Sequence, residues 1–314
     1  MDLTIILWII VGGGIFFALP PTVHFFMFWG VFHRKRPLYL DQDDTKGTPY
    51  YPYREEIKSN IEKAKSIPCE MVHITTRDGL KLSGRYYDSH ASKTVICIHG
   101  FQSNAYNNFS LALVRFLERQ YNVLLVDQRA HGKSKGHFTT GGVLEQYDLC
   151  QWVDMEAQKE QIESIYLYGI SMGATTAGLA SDKITVGKVK AIVMEAGFTS
   201  FADETAWNVR FVFSRNAILR AIKFYAKLFL KIDISTPAAA SLAQTKIPVL
   251  FLHGDVDESV PLSFTMTNYH ACASQKELMV VSGAHHTLCW LVGGDEVGER
   301  IFRFIEDLDT HKRQ

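Results

Sequence analysis

The chain has 314 residues, 47% of them hydrophobic, and its 33 basic and 33 acidic side chains balance to a formal charge of zero. That length holds one large α/β domain with an N-terminal segment and leaves no room for a second full domain beside it. Charge balance removes the electrostatic case for nucleic acid as a partner, and no internal repeat or low-complexity tract is present.

Residues 3–32 contain no Asp, Glu, Lys or Arg. As one helix they would span ~45 Å against a hydrocarbon core of ~30 Å, long enough to cross a membrane. Pro20-Pro21 breaks the run, leaving residues 3–19 as a short span and Phe25-Phe26-Met27-Phe28-Trp29 as a continuation or an interfacial piece. A cleaved signal peptide is disfavoured, because the N-terminus carries Asp2 and no Lys or Arg, the run is too long, and no A-x-A-like site follows. The basic flank His33-Arg34-Lys35-Arg36 then predicts a single-pass cell-membrane protein with the domain that follows in the cytoplasm. Cys69, Cys97, Cys150, Cys272 and Cys289 are odd in number and scattered, which reads as free thiols. Thus 1–36 form an anchor with a basic flank, and 37–66 a juxtamembrane linker followed by a short polar helix over 55–66.

Within 67–314, strands are predicted at 71–76 and 80–87, joined by the hairpin signal Arg77-Asp78-Gly79, and then at 94–98, 122–126, 164–168, 190–194, 248–252 and 277–281. Alternation with helical stretches argues for a mostly parallel eight-stranded sheet with helices on both faces. Between 199 and 245 the alternation lapses, and 207–232 is rich in Phe, Ile, Leu, Arg and Lys without a strand signal.

The chemistry sits just after strand ends, where an open α/β sheet binds ligands. Gly169-Ile170-Ser171-Met172-Gly173 follows one predicted strand and precedes a stretch of small residues, the strand–turn–helix setting of a G-x-S-x-G nucleophile elbow. Ser171 is the candidate nucleophile. A serine hydroxyl needs a base, an acid to orient that base, and donors for the oxyanion. The loop Asp255-Val256-Asp257-Glu258-Ser259-Val260-Pro261 supplies Asp257 as the acid, and Ser282-Gly283-Ala284-His285-His286 supplies one of two histidines as the base. The order Ser, acid, His is that of the α/β-hydrolases. His99-Gly100-Phe101 follows the strand at 94–98, so the backbone N–H groups of Phe101 and Met172 are the candidate oxyanion hole, with His99 bracing its loop. His99, His131, His253 and His286 fall on separate loops, no H-x-x-x-H or C-x-x-C pair occurs, and no dinucleotide fingerprint follows a strand, so neither metal nor cofactor is expected.

Taken together these motifs resemble the α/β-hydrolase superfamily, in particular membrane-anchored bacterial serine hydrolases related to serine aminopeptidase and prolyl-oligopeptidase-type catalytic domains. The resemblance covers residues 71–308. It rests on His99-Gly100, on Asp127-Gln128-Arg129-Ala130-His131-Gly132-Lys133-Ser134, which is similar to the family's D-x-R-G-H-G-x-S loop, on the serine elbow, on the H-G-D-x-D-x-x-V-P segment from His253 to Pro261, and on the closing histidine. Ala130 stands where the family has glycine. The family pattern G-A-x-H implies His286 over His285 as base and places the acid three residues before Val-Pro, at Asp257; Asp255 and Glu195 are the other acid candidates.

The resemblance implies that the insertion at about 199–245 is a helical cap over the site. Phe211, Phe213, Leu219, Ile222, Phe224, Tyr225, Leu228, Phe229 and Leu230 would line an acyl pocket or simply pack the cap, and Arg215, Arg220, Lys223, Lys227 and Lys231 would face lipid headgroups if the cap lies on a membrane. The implied activity is that of a membrane-anchored serine hydrolase cleaving carboxylic esters through an acyl-enzyme, its substrate a small acyl ester or a peptide. A serine peptidase of the same fold and a catalytically silent interaction module are the other readings.

Overall fold

Eight strands form a single sheet in a computed structural model that describes residues 21–212 and 214–310. The strands are β1 (Glu70–Thr75), β2 (Lys81–Tyr87), β3 (Lys93–Ile98), β4 (Asn122–Asp127), β5 (Ser164–Ile170), β6 (Val189–Glu195), β7 (Val249–Gly254) and β8 (Lys276–Val281). Their order across the sheet is β1-β2-β4-β3-β5-β6-β7-β8. β1–β2 and β2–β4 pair antiparallel and every other pair is parallel. Each predicted strand is present, and the predicted hairpin closes at Gly79 with φ +84°, a backbone conformation suited to glycine.

The central strands are apolar runs because both faces of the sheet are covered. Val95 and Cys97 of β3 face α3 (Ala105–Glu118) and α10 (Cys289–Thr310), whereas Ile96 and Ile98 face α4 (Glu145–Ala157) and α5 (Met172–Ala180). A third apolar cluster lies over the C-terminal ends of the strands. It joins an N-terminal helix, α1 (Pro21–Phe32), to cap helices α6 (Phe201–Asn208) and α7 (Arg215–Tyr225), with Phe28, Phe32, Phe198, Phe201, Ile218 and Ile222 buried in it. α7 runs on into a π-helical turn, Ala226–Leu230, and α8 (Ala238–Leu242) returns the chain to the sheet.

The segment read as a linker is folded onto the domain. Leu40 is buried with Ile57 and Ile61 of α2 (Arg54–Ser66), whose inward residues Ile57, Ile61 and Ala64 recur at helical spacing and make it amphipathic. Asn107 Nδ2 donates to the Leu38 carbonyl at 2.5 Å. Two cations counted in the membrane-flanking charge also have partners downstream in the chain. Arg34 donates to the carbonyls of Ser134, at 2.7 Å, and Gly132, and Arg36 makes a two-pronged pair with Asp43 at 3.0 Å. Phe25 to Trp29 lie in α1, where Phe25 and Phe28 pack against Phe229 of the cap. The predicted span over 3–19 and the cap residue Phe213 lie outside the described residues. Among the described residues no helix is long and apolar enough to cross a membrane.

Candidate active site

Ser171 sits between β5 and α5 with φ 55° and ψ −118°. A non-glycine residue held there stores of order 1–3 kcal/mol of strain, and its surroundings enforce the conformation. Its N–H donates to the Glu195 carbonyl at 2.8 Å, and its own carbonyl accepts from Thr175 N–H at 3.0 Å. The flanking glycines are dictated by contact. A Cβ on Gly173 would stand 1.9 Å from the Ile98 carbonyl oxygen, and one on Gly169 would stand 2.3 Å from the Gly173 carbonyl oxygen.

His286, in the loop after β8, places Nε2 2.9 Å from Ser171 Oγ and Nδ1 2.6 Å from Asp257 Oδ2. Asp257 Oδ1 accepts the backbone N–H groups of Ser259 and Val260, both at 2.9 Å, which fixes the buried carboxylate with one oxygen aimed at the imidazole. Asp255 points elsewhere: it accepts from Ser282 Oγ at 3.0 Å and Gly283 N–H at 2.7 Å, tying together the loops after β7 and β8. Glu195 lies at the end of β6, where it accepts from Tyr168 Oη at 2.5 Å and Cys289 N–H at 3.2 Å. His285 uses its carbonyl to cap Leu288 N–H at 3.2 Å, and it is His286 that lies within reach of the serine.

Electrostatics separates this histidine from its neighbours. Burial opposes a charge on His286, but the Asp257 hydrogen bond and charge, then the charges of Glu204 and Glu195, outweigh it and raise its pKa. Burial, with the adjacent His131, drives His99 down to about 3. The His99 ring is committed on both sides, Nδ1–H donating to the Gly100 carbonyl at 2.8 Å and Nε2 accepting Gln128 N–H at 3.1 Å. Burial likewise lowers His131, whose Nε2 accepts Gln102 N–H at 3.1 Å. Gln102 has φ 48°, so His131 holds the turn immediately after Phe101. Ala130 has φ 59°, a left-handed conformation that accounts for the glycine of the resembling family at this position.

An apolar cavity of about 490 Å³ opens above Ser171, and Phe101 is among its walls. Met172, first residue of α5, has no intrahelical acceptor for its N–H. Of the eight described cap residues read as pocket lining, Ile222 takes that place, beside Ile218, which was not among them. The two are one helical turn apart on the buried face of α7, whereas Phe224 on its opposite face and Phe211, Leu228 and Phe229 outside the helix are exposed. The remaining walls include Met27, Gly30 and Val31 of α1, Lys35, and Glu204 with Asn208 of α6. Glu204 escaped sequence reasoning, since nothing local marks it. Burial pushes its carboxyl up to about 7, opposed by the hydrogen bond from Asn208 Nδ2 at 2.7 Å. Among the described residues no cluster of His, Cys, Asp and Glu is arranged to hold a metal.

Residues 93–221 match a family model described as the alpha/beta hydrolase fold. Among curated proteins the chain is 25% identical over 238 residues to the uncharacterized protein YqkD of Bacillus subtilis, covering 74% of this chain and 77% of that one. It is 26% identical over 258 residues to the alpha/beta hydrolase domain-containing protein WAV2 of Arabidopsis thaliana, covering 78% and 81%. Among solved structures, an esterase of Pyrococcus furiosus superposes with a TM-score of 0.62 at 27% identity, covering 78% of this chain and 93% of that chain. The fold is also similar to that of Est1E from Butyrivibrio proteoclasticus, at a TM-score of 0.59 and 20% identity, over 76% of this chain and 99% of that chain.

Proposed function

We propose that this chain is a serine esterase of the α/β-hydrolase superfamily that works through an acyl-enzyme, a reading supported by the family match and the likeness to a solved esterase. The observation that carries the reading is the unbroken line from Asp257 Oδ2 through the His286 ring to Ser171 Oγ, at 2.6 and 2.9 Å, on the floor of an apolar cavity. Ser171 Oγ attacks the ester carbonyl carbon while His286 Nε2 takes the hydroxyl proton. Asp257 accepts Nδ1–H, holding the tautomer with a free Nε2 and stabilising the imidazolium that forms. The N–H groups of Phe101 and Met172 receive the oxyanion. His286 then protonates the departing alkoxide. In the second half, water gives its proton to the same nitrogen and attacks the acyl carbon, and Ser171 is regenerated as the carboxylic acid leaves. The apolar lining favours an acyl chain over a charged peptide. Membrane tethering through residues 3–19, with the domain on the cytoplasmic side, belongs to the same proposal and draws on the charge-free run and its basic flank.

Labelling of the purified protein by a fluorophosphonate tests the proposal. Wild type and His285→Ala are expected to label, whereas Ser171→Ala and His286→Ala do not. A folded wild type that fails to label, or a Ser171→Ala protein that still labels, refutes it.

A further inference from the structure

The outer face of α1 and the cap combines three features that the catalytic reading does not use. Among the described residues, seven of the eleven exposed large hydrophobic side chains lie on α1 or between residues 211 and 229. They include Phe26, Trp29, Phe211, Phe224, Leu228 and Phe229, with Phe211 88% and Phe26 67% exposed. Those on the two helices form one surface. Phe25 stands 6.0 Å from Phe26, 5.9 Å from Trp29 and 5.4 Å from Phe229, ring centre to ring centre, and Phe224 stands 5.2 Å from Tyr225.

The same stretch is strongly one-signed. Residues 205–232 carry Arg210, Arg215, Arg220, Lys223, Lys227 and Lys231 and no Asp or Glu, in a chain whose total charge is zero. No ion pair to Arg220, Lys223, Lys227 or Lys231 is found among the described residues. Ile218, Ile222 and Ala226 turn inward at helical spacing while Arg220, Phe224, Lys227 and Leu228 turn outward. Exposed rings set among cations are the pattern of a helix lying in a bilayer interface, with rings among the acyl chains and cations at the headgroups. In addition, the charge-free residues 3–20 join the fold at Pro21, the start of α1, so the most apolar part of the chain enters at this face.

We propose that the face formed by α1 and the cap helix docks on an anionic lipid bilayer, and that acyl substrate reaches Ser171 from the lipid side. The cavity supports the second half. Its walls include Gly30 and Val31 of α1 and Ile218 and Ile222 of α7, the inner sides of the elements whose outer sides carry the patch. Docking stands on the surface alone, and the access route rests also on the esterase reading.

The test uses the full chain reconstituted in vesicles of phosphatidylcholine with or without phosphatidylglycerol. An environment-sensitive fluorophore is placed through Phe224→Cys in a Cys69→Ser background. In phosphatidylglycerol vesicles the emission is expected to shift to the blue and to be quenched by lipids brominated on their acyl chains. Replacing Arg220, Lys227 and Lys231 by Gln is expected to lower the docked-to-undocked ratio about 100-fold at low salt, at about one tenfold step per 1.4 kcal/mol and roughly 1 kcal/mol per cation. The same variant should turn over a water-soluble short-chain ester as wild type does and lose turnover of a long-chain ester embedded in the vesicles. A label that keeps its aqueous emission in anionic vesicles overturns the docking. A label equally shielded without any vesicle overturns it too, because residues 1–20 then cover the patch. Lipid quenching without turnover of either ester, in a protein that does not label with a fluorophosphonate, leaves the docking standing and overturns the access route together with the esterase reading.

Discussion

Glu204 gives the proposed site a stability signature that depends on pH. Its carboxyl lies in a cavity wall, one oxygen held by Asn208 and the other, Oε2, buried without a partner. Desolvation raises its pKa from 4.5 to about 7, so the folded state holds this proton more tightly than the unfolded chain. The stability this lends is complete below the unfolded pKa, declines as the unfolded carboxyl ionises, and is fully lost once pH passes the folded value. Linkage over these two values makes the ionisable carboxyl, relative to a neutral side chain, unfavourable by about 1 kcal/mol at pH 5 and about 3 kcal/mol at pH 8. Glu204→Gln keeps an acceptor for Asn208 and removes the charge. Urea unfolding of the two proteins should therefore show an advantage for the glutamine variant that grows by about 2.5 kcal/mol from pH 5 to pH 8. The kinetic consequence has the opposite look: because the Glu204 charge helps to raise the pKa of His286, its removal should move the acid limb of kcat/KM to lower pH. An advantage that is equal at both pH values refutes the argument, since it would locate the effect in packing and not in the buried charge.

Gly173→Ala would drive a Cβ to within 1.9 Å of a backbone oxygen of β3, and a loss of at least about 3 kcal/mol in thermal or urea unfolding is expected, with fluorophosphonate labelling lost in whatever folds. Gly30 borders the cavity with open space where a Cβ would stand; a leucine there fills the volume of about four methylenes, at about 0.8 kcal/mol each, so kcat/KM for long-chain esters should fall roughly 200-fold while short-chain esters are spared, and an unchanged chain-length profile would remove α1 from the pocket wall. Asp257→Asn withdraws the principal groups that raise His286 and leaves the wrong tautomer, so kcat should drop by about 10⁴ with little change in folding, as read by steady-state kinetics beside circular dichroism. Cys69 is exposed, so a thiol reagent that cannot cross membranes should leave it unlabelled in intact cells and label it after lysis; labelling in intact cells would place the domain outside.

Legibility followed the range of the interaction responsible. The elbow at Ser171, the Asp257 loop and the strands are written in consecutive residues, because a tight turn, a carboxylate capped by the next two amides and a two-sided buried strand each draw on local geometry. The hairpin at Gly79 and the helix over 54–66 were legible for the same reason, although the amphipathic face of that helix was visible only in the spacing of Ile57, Ile61 and Ala64. The cavity was far less legible. Its wall joins Gly30 and Val31 to Ile218 and Ile222, nearly 190 residues apart, and aromatic density in the cap pointed to the wrong face of α7. The inward residues were marked by i, i+4 spacing and not by size. Arg34 and Arg36 carry a second role that their charge after an apolar run did not mark: Arg34 donates to the Ser134 carbonyl and Arg36 pairs with Asp43.

The histidines around the site show why residue type alone could not separate the proposed base from its neighbours. His99, His131 and His253 are all buried near Ser171, and desolvation lowers the pKa of each. In each ring both nitrogens are spent on fixed partners: His253, for instance, donates Nε2–H to the Val260 carbonyl at 2.9 Å and meets Thr265 Oγ1 at 2.8 Å through Nδ1. Such rings are braces, since moving a proton through them would break a bond that holds a loop. His253 Nε2 even lies 3.5 Å from Asp257 Oδ2, but that carboxylate oxygen has the shorter bond to His286, and His253 directs its proton to a carbonyl. Only His286 combines a carboxylate on one nitrogen with a hydroxyl on the other and a raised pKa. Proton transfer needs a ring whose second nitrogen is free to exchange partners, and in this cluster the only partner that a reaction would change is the hydroxyl of Ser171.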